Sequence, residues 1–300
     1  ETILSGDIGT ESDSSDNSYH VFYHPAGTNL DGSAVLDGFT ITGGNANSTS
    51  TWPHWDGGGM YNSASSPTLT NLTFRGNSAG YGAGMYNFDS SPMVTGCTFS
   101  ENSAVHVGGA MLTGGTLSSP VIANCIFTDN HADESGGAMR NGDDGAPVFT
   151  NCTFSRNSAG IAGGAMENVN SSPEVTNSIL WGDTAGGLPD EISNGPGSTL
   201  LALHSDIQGI LPFTGTITGT GNIDADPLFV NVETGDLRLQ ITSPAIDAGV
   251  NGAVPGGVTI DLAGNPRFAD VPTVDDTGVG TPPIVDMGAY EYQYEAPPPV

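Results

Sequence analysis

The chain has 300 residues, of which 33 are acidic against five arginines and no lysine, for a formal charge of −28. That charge repels nucleic-acid phosphates and anionic lipid, and it suits divalent cations or a salty medium. No apolar run reaches the ~18 residues of a spanning helix, so direct membrane insertion is not expected. Glycine supplies 44 residues without the Gly-X-Y period that would make collagen.

In chain order, residues 1–46 hold incomplete rungs of extended structure, opened by Ile3 and Leu4. No leader follows Glu1, so an export signal is expected to have been removed or to lie outside this stretch. Asn45 to Asp56 then interrupts the pattern as an insertion carrying Trp52, Pro53, His54 and Trp55.

From residue 57 a repeat is plain. Gly57-Gly58-Gly59-Met60-Tyr61-Asn62 returns as Gly82-Ala83-Gly84-Met85-Tyr86-Asn87, and Met111, Met139 and Met166 mark later copies, 25 to 28 residues apart. A second block, Ser65-Ser66-Pro67-Thr68-Leu69-Thr70, recurs around Pro92, Pro120, Pro147 and Pro173. Aligned, these blocks form columns. One is Ile41, Phe74, Phe99, Phe127, Phe154, Leu180; two residues earlier stands Phe39, Leu72, Cys97, Cys125, Cys152, Ser178. That offset places both on one face of a short strand. Just before them, Gly38, Asn71, Gly96, Asn124, Asn151 and Asn177 are all residues that tolerate a left-handed bend. Gly44, Asn77, Asn102, Asn130, Asn157 and Asp183 are read as a second bend of the same kind, with Asn bonding from rung to rung.

A helical repeat does not fit, because no unit has a 3.6-residue apolar stripe. Short strands joined by left-handed bends describe one turn of a parallel β-helix, with equivalent residues about 4.8 Å apart along the axis. The expected fold is therefore all-β, a right-handed parallel β-helix over residues 1–245, with regular rungs at 34–183 and looser ones at 184–245. Residues 246–294 have few strand signals and are expected to cap the last rung, shielding an open edge. Residues 295–300 read as the start of a Pro-rich linker. The three stacked cysteines are expected to be buried free thiols.

The blocks from Ala34 to Ala46 and from Gly57 to Ala79 resemble the right-handed β-helix repeats of large bacterial surface proteins of the polymorphic outer-membrane-like and choice-of-anchor type. The runs Asp226-Pro227-Leu228-Phe229, Ser243 to Gly249, Asp261 to Arg267 and Asp286 to Glu291 are similar to the terminal block of that family. The resemblance implies fold and surface location and says little about activity.

Several groups are candidate sites. Trp52, His54 and Trp55 offer ring faces for a sugar or a protein, unless the loop simply packs on the flank. Asp224, Asp226 and Asp261 are candidate Ca²⁺ ligands, or else turn-forming acids. Asp261, Arg267 and Asp286 are expected to form a buried ion pair. Arg75 and Arg156 are read as sharing one outward column, too far apart for a joint site. β-Helical lyases rely on a basic residue near a Ca²⁺-bound uronate, and this chain has no lysine. The six histidines share no column, so no histidine site is indicated. An outward column, Thr40, Thr73, Thr98, Ile126, Thr153, Ile179, raises an ice- or mineral-binding face as a further alternative. The expected role is a non-enzymatic structural or adhesive module of an extracellular or cell-surface protein. It would contact a surface partner or associate with itself end to end into fibres. A carbohydrate-binding or carbohydrate-cleaving β-helix is the alternative.

Overall fold

The computed structural model describes residues 2–11, 13–48, 53–210 and 217–295. Its strands stack as four ladders running the length of a solenoid. In one, the Phe sheet, Phe39–Thr42, Thr73–Arg75, Thr98–Ser100, Ile126–Thr128 and Thr153–Ser155 pair in parallel and in register. The Met sheet stacks Met60–Ser63, Met85–Phe88, Met111–Gly114, Met139–Gly142 and Met166–Val169. An aliphatic sheet stacks Thr68–Thr70, Met93–Thr95, Val121–Ala123 and Val148–Thr150. An Ala sheet stacks Ser78–Tyr81, Ser103–Val107, His131–Ala132 and Ser158–Ala159.

Each turn visits the Ala, Met, aliphatic and Phe sheets in order, and the inward columns form one continuous core. Phe74, Phe99, Phe127 and Phe154 stack at centroid spacings of 4.7, 5.0 and 4.5 Å, with their planes nearly parallel. Each such pair contributes about 0.5–1.5 kcal/mol beyond area burial. The bend residues Gly38, Asn71, Gly96, Asn124, Asn151 and Asn177 all have positive φ, as expected. Cys97, Cys125 and Cys152 are buried free thiols. Two of them take a main-chain N–H: Leu72 donates to Cys97 Sγ and Cys97 to Cys125 Sγ, both at 3.4 Å. Ser178 and Ser205 continue that role with hydroxyls.

The second bend differs from its reading. The left-handed residues are Gly43, Gly76, Glu101, Asp129, Arg156 and Gly182, one position earlier. Asn77, Asn102, Asn130 and Asn157 instead point inward and are fully buried. Each Nδ2 donates to the next Oδ1 at 2.9–3.0 Å, ending on Asp183 Oδ1 at 2.7 Å. The other Nδ2 proton of Asn102, Asn130 and Asn157 goes to the carbonyl of Phe74, Phe99 and Phe127. Arg156, being on the bend, is also out of the Arg75 column, whose member on that rung is Ser155.

The C-terminal part departs further from expectation. The solenoid's parallel ladders end at Ile217–Thr218 and at the bridge from Asp206 to Ile223, and a lone parallel bridge joins Val250 to Val279 further on. Of the looser rungs expected at 184–245, Ile192–Asn194, Leu200–Leu203, Asp206–Ile207 and Ile217–Thr218 do continue the parallel ladders, whereas Phe229–Asn231 and Asp236–Leu239 form an antiparallel hairpin instead. Residues 246–294 do not lie across the last rung. They run along the outer flank of the Phe sheet, where Ile179 packs with Leu239, Ala245, Ile246 and Met287, and Ile126 packs with Leu237 and Ala289. The bend asparagines also hold this strap. Asn177 exchanges hydrogen bonds with Val250, and Asn151 Nδ2 donates to Asp286 O at 3.1 Å. The physical reason is the outward column itself, apolar at Ile126 and Ile179. The strap buries Thr153, whose hydroxyl accepts the Ala289 N–H at 2.9 Å, so the threonine column is not one solvated face.

Candidate functional site

Where the Ala sheet meets the Met sheet, the early rungs carry a band of aromatic rings. Tyr61 and Tyr86 occupy the same Met-sheet register and stack at 5.6 Å. Tyr23 extends that ladder upward, also at 5.6 Å from Tyr61. His20 stacks on Tyr23 at 5.0 Å, and His54 stacks on Tyr19 at 4.7 Å. Trp55 stands edge-on to Tyr81 and His106, at 5.9 and 5.2 Å. It lies against Gly80, where any side chain would overlap the indole, and its carbonyl accepts the Gly80 and Tyr81 N–H groups. His54 and Trp55 are thus half-buried on the flank; Trp52 lies outside the described residues.

Three histidines therefore come together here although no column joins them, with His20 and His54 5.7 Å apart. His20 and His54 sit on segments between rungs, beyond the reach of repeat alignment. The recurring Tyr after Met60 and Met85 was the one visible signal. Asp56 is buried in the band and, with Glu134, raises the Tyr81 phenol, though burial is the larger cause. Burial pushes the Tyr61 phenol up to about 12 and lowers the pKa of His20, favouring its neutral form. His20 Nδ1 meets Gly57 O at 3.0 Å, and Glu134 meets His106 Nδ1 at 2.7 Å. The exposed rims are Tyr19 and Tyr23, 40% and 44% accessible. Chemically, the band presents ring surface edged by hydroxyl, imidazole and carboxylate groups, without a basic side chain from arginine.

The acids separate into distinct places. Asp224 Oδ1 accepts the Gly209 N–H at 3.1 Å, and Asp226 Oδ1 that of Leu228 at 2.9 Å, in the segment whose Ile223 and Ala225 meet Asp206 at the end of the solenoid. Asp261 is in the strap, where its two oxygens accept the N–H groups of Asn265 and Glu291. It is not joined to the other two as one candidate Ca²⁺ set. Among the described residues no three His, Cys, Asp or Glu side chains form a ready metal cage. Arg267 is fully buried, as the ion-pair reading required, but its nearest carboxylate is Glu291 at 3.8 Å. Its Nη2 donates to the carbonyls of Gly288 and Asp286. The Asp286 carboxylate instead accepts the Asp247 and Tyr292 N–H groups. Burial raises both Asp286 and Glu291, and the neighbouring carboxylates Asp247 and Asp286 add to it, against the lowering pull of the Arg267 guanidinium.

A second carboxyl pair closes the asparagine ladder. Asp183 and Glu191 are both buried; Glu191 Oε1 accepts the Gly182 and Asp183 N–H groups at 3.0 and 3.1 Å. Burial pushes Asp183 up to about 6 and Glu191 well above the usual carboxylate range.

Residues 14–180 match the family model described as a right handed beta helix region, over half of the chain. The protein belongs to the right-handed β-helix family. The family match covers the aromatic band and the asparagine ladder and stops before the strap. Comparison with curated proteins finds no match, and neither does comparison with solved structures.

Proposed function

We propose that this β-helix is a non-catalytic adhesive module of an extracellular, bacterial-type surface protein, and that the aromatic band is its contact surface. The observation that carries this reading is the gathering of rings from residues 19–23, 54–55, 61, 81, 86 and 106 onto one corner of a regular solenoid. Rings with polar edges combine apolar contact with hydrogen bonding, which suits recognition of a glycan. Asp56 and Glu134 in the band favour a neutral or amino sugar over a uronate. Recognition rather than catalysis fits the polar groups available, because Glu134 is already bound to His106 and burial disfavours a charged His20.

The test is binding of neutral, amino and uronate glycans to the purified chain and to Tyr19→Ala and Tyr23→Ala. Each substitution also removes a ring contact, Tyr19 with His54 and Tyr23 with His20 and Tyr61, so melting is followed alongside and binding is compared where all variants are folded. Loss of one ring contact should weaken binding about tenfold. Binding that survives both substitutions, or an absence of any retained glycan, would remove the band from the function.

A further inference from the structure

On the outer face of the Ala sheet, His131 joins a hydroxyl to a carboxylate. Ala132 and Ala159 face inward and are buried, so strand alternation turns His131 and Ser158, in register on successive rungs, outward. Successive rungs lie about 4.8 Å apart, and the imidazole spans that step. His131 Nδ1 lies 2.9 Å from Ser158 Oγ, and Nε2 lies 3.0 Å from Asp133 Oδ1. The scaffold holds all three. The Ser158 N–H donates to Asn130 O and the Asp133 N–H to Ala104 O, and the Asp133 carbonyl lies so close to Gly160 that a Cβ there would overlap it.

Elementary chemistry places the protons. A carboxylate only accepts, so the bond to Asp133 requires Nε2 to carry a proton. In the neutral ring Nδ1 is then the bare nitrogen, and the Ser158 hydroxyl must donate to it. A serine whose proton points into an imidazole, itself oriented by a carboxylate, is the arrangement of an activated nucleophile. The rungs above supply a contrast. Ser103 and Ser78 continue the same outward column and are exposed, whereas Ser158 is half-buried; yet the ring directs Nδ1 to Ser158.

We propose that Ser158 is an activated nucleophile that accepts one acyl group from an activated ester, with His131 as the base and Asp133 as a positioning residue. Ser158 Oγ attacks the carbonyl carbon as its proton passes to His131 Nδ1. The new C–O bond forms, the bond to the leaving oxygen breaks, and the imidazolium gives the proton to the leaving group. Asp133 stabilises that imidazolium through the Nε2 proton. The N–H groups of Ser158, Gly160 and Ile161 are bonded to the carbonyls of Asn130, Ala132 and Glu134, so these three do not serve as an oxyanion hole. The reaction therefore needs a donor with a good leaving group, such as an aryl ester, and the alkyl ester formed on Ser158 has a poor one. The site loads once rather than turning over. That accords with a non-catalytic module and is independent of glycan binding by the aromatic band.

The experiment exposes the folded chain to 4-nitrophenyl acetate and maps acetylated serines by peptide mass analysis after an acid quench. Ser158 should be acetylated about 100-fold faster than Ser103 and Ser78, the low end of the gain from a positioned base. His131→Gln should bring Ser158 down to the rate of those two. Asp133→Asn should lower it by less, because water partly replaces an exposed carboxylate. Melting of both variants is followed alongside, and the comparison of the three serines within the parent chain needs no variant. Equal acetylation of the three in the parent, or an unchanged Ser158 rate in a folded His131→Gln, would overturn the proposal. An unchanged rate in Asp133→Asn would strike Asp133 from it.

Discussion

Two asparagine ladders run inside this solenoid, and only one is whole. In the first, Asn77, Asn102, Asn130 and Asn157 pass hydrogen bonds without a break, and both protons of each interior amide are used. In the second, on the Met sheet, Asn62 bonds to Asn87 and Asn141 bonds to Asn168, but Thr113 stands between the halves. Asn87 Nδ2, Thr113 Oγ1 and Asn141 Oδ1 are buried there without hydrogen-bond partners. The same residue type at the same burial is thus fully bonded in one column and partly unbonded in the other. A ladder stabilises only through continuity, because a hydrogen bond adds little net while an orphaned buried group costs about 1–3 kcal/mol.

The largest expected effect comes from breaking the whole ladder. Asn130→Leu removes the acceptor of Asn102 and the donor to Phe99 O, and should cost about 3–5 kcal/mol in urea unfolding. Asn141→Leu, in the ladder already broken, should cost clearly less. Equal losses would mean that side-chain volume, not bonding, decides.

The next effect lies at the ladder's foot, where Asp183 occupies the asparagine position. Its pKa is raised in the folded chain, so folding favours the protonated form. Stability is then fully present below the ordinary carboxylate range and falls as pH rises through about 6. Glu191, raised further, extends that loss to higher pH. Asp183→Asn should remove most of the Asp183 part of the slope and stabilise the chain at pH 8 by about 2 kcal/mol. A pH profile of melting identical to the parent would disprove the coupling. The smallest effect is a gain: Thr113→Asn should join the two half-ladders and add about 1 kcal/mol if the longer side chain fits. A loss of stability there would show that the core has no room for it.

The parallel stack was legible because it is in register: Met60 over Met85 and Phe74 over Phe99 are sequence columns before they are spatial ones. The exact bend residue was not legible, since asparagine suits both a left-handed turn and an inward ladder, and the columns adjoin. The strap was misread because it does not repeat. Nothing in residues 246–294 states which surface they cover, although Ile126 and Ile179 break the outward polar column at the place they reach. Trp55 was singled out, whereas His20 and His106 were not, because their meeting depends on rung closure rather than on spacing.

The cysteine column has a practical consequence. Cys97, Cys125 and Cys152 lie on three successive rungs, each free and wholly enclosed, and burial raises the Cys125 thiol. A thiol reagent therefore meets them only when the solenoid opens. Their labelling rates form a built-in gauge: three equal rates mean that the rungs open together, and a gradient along the axis means that the stack unwinds turn by turn.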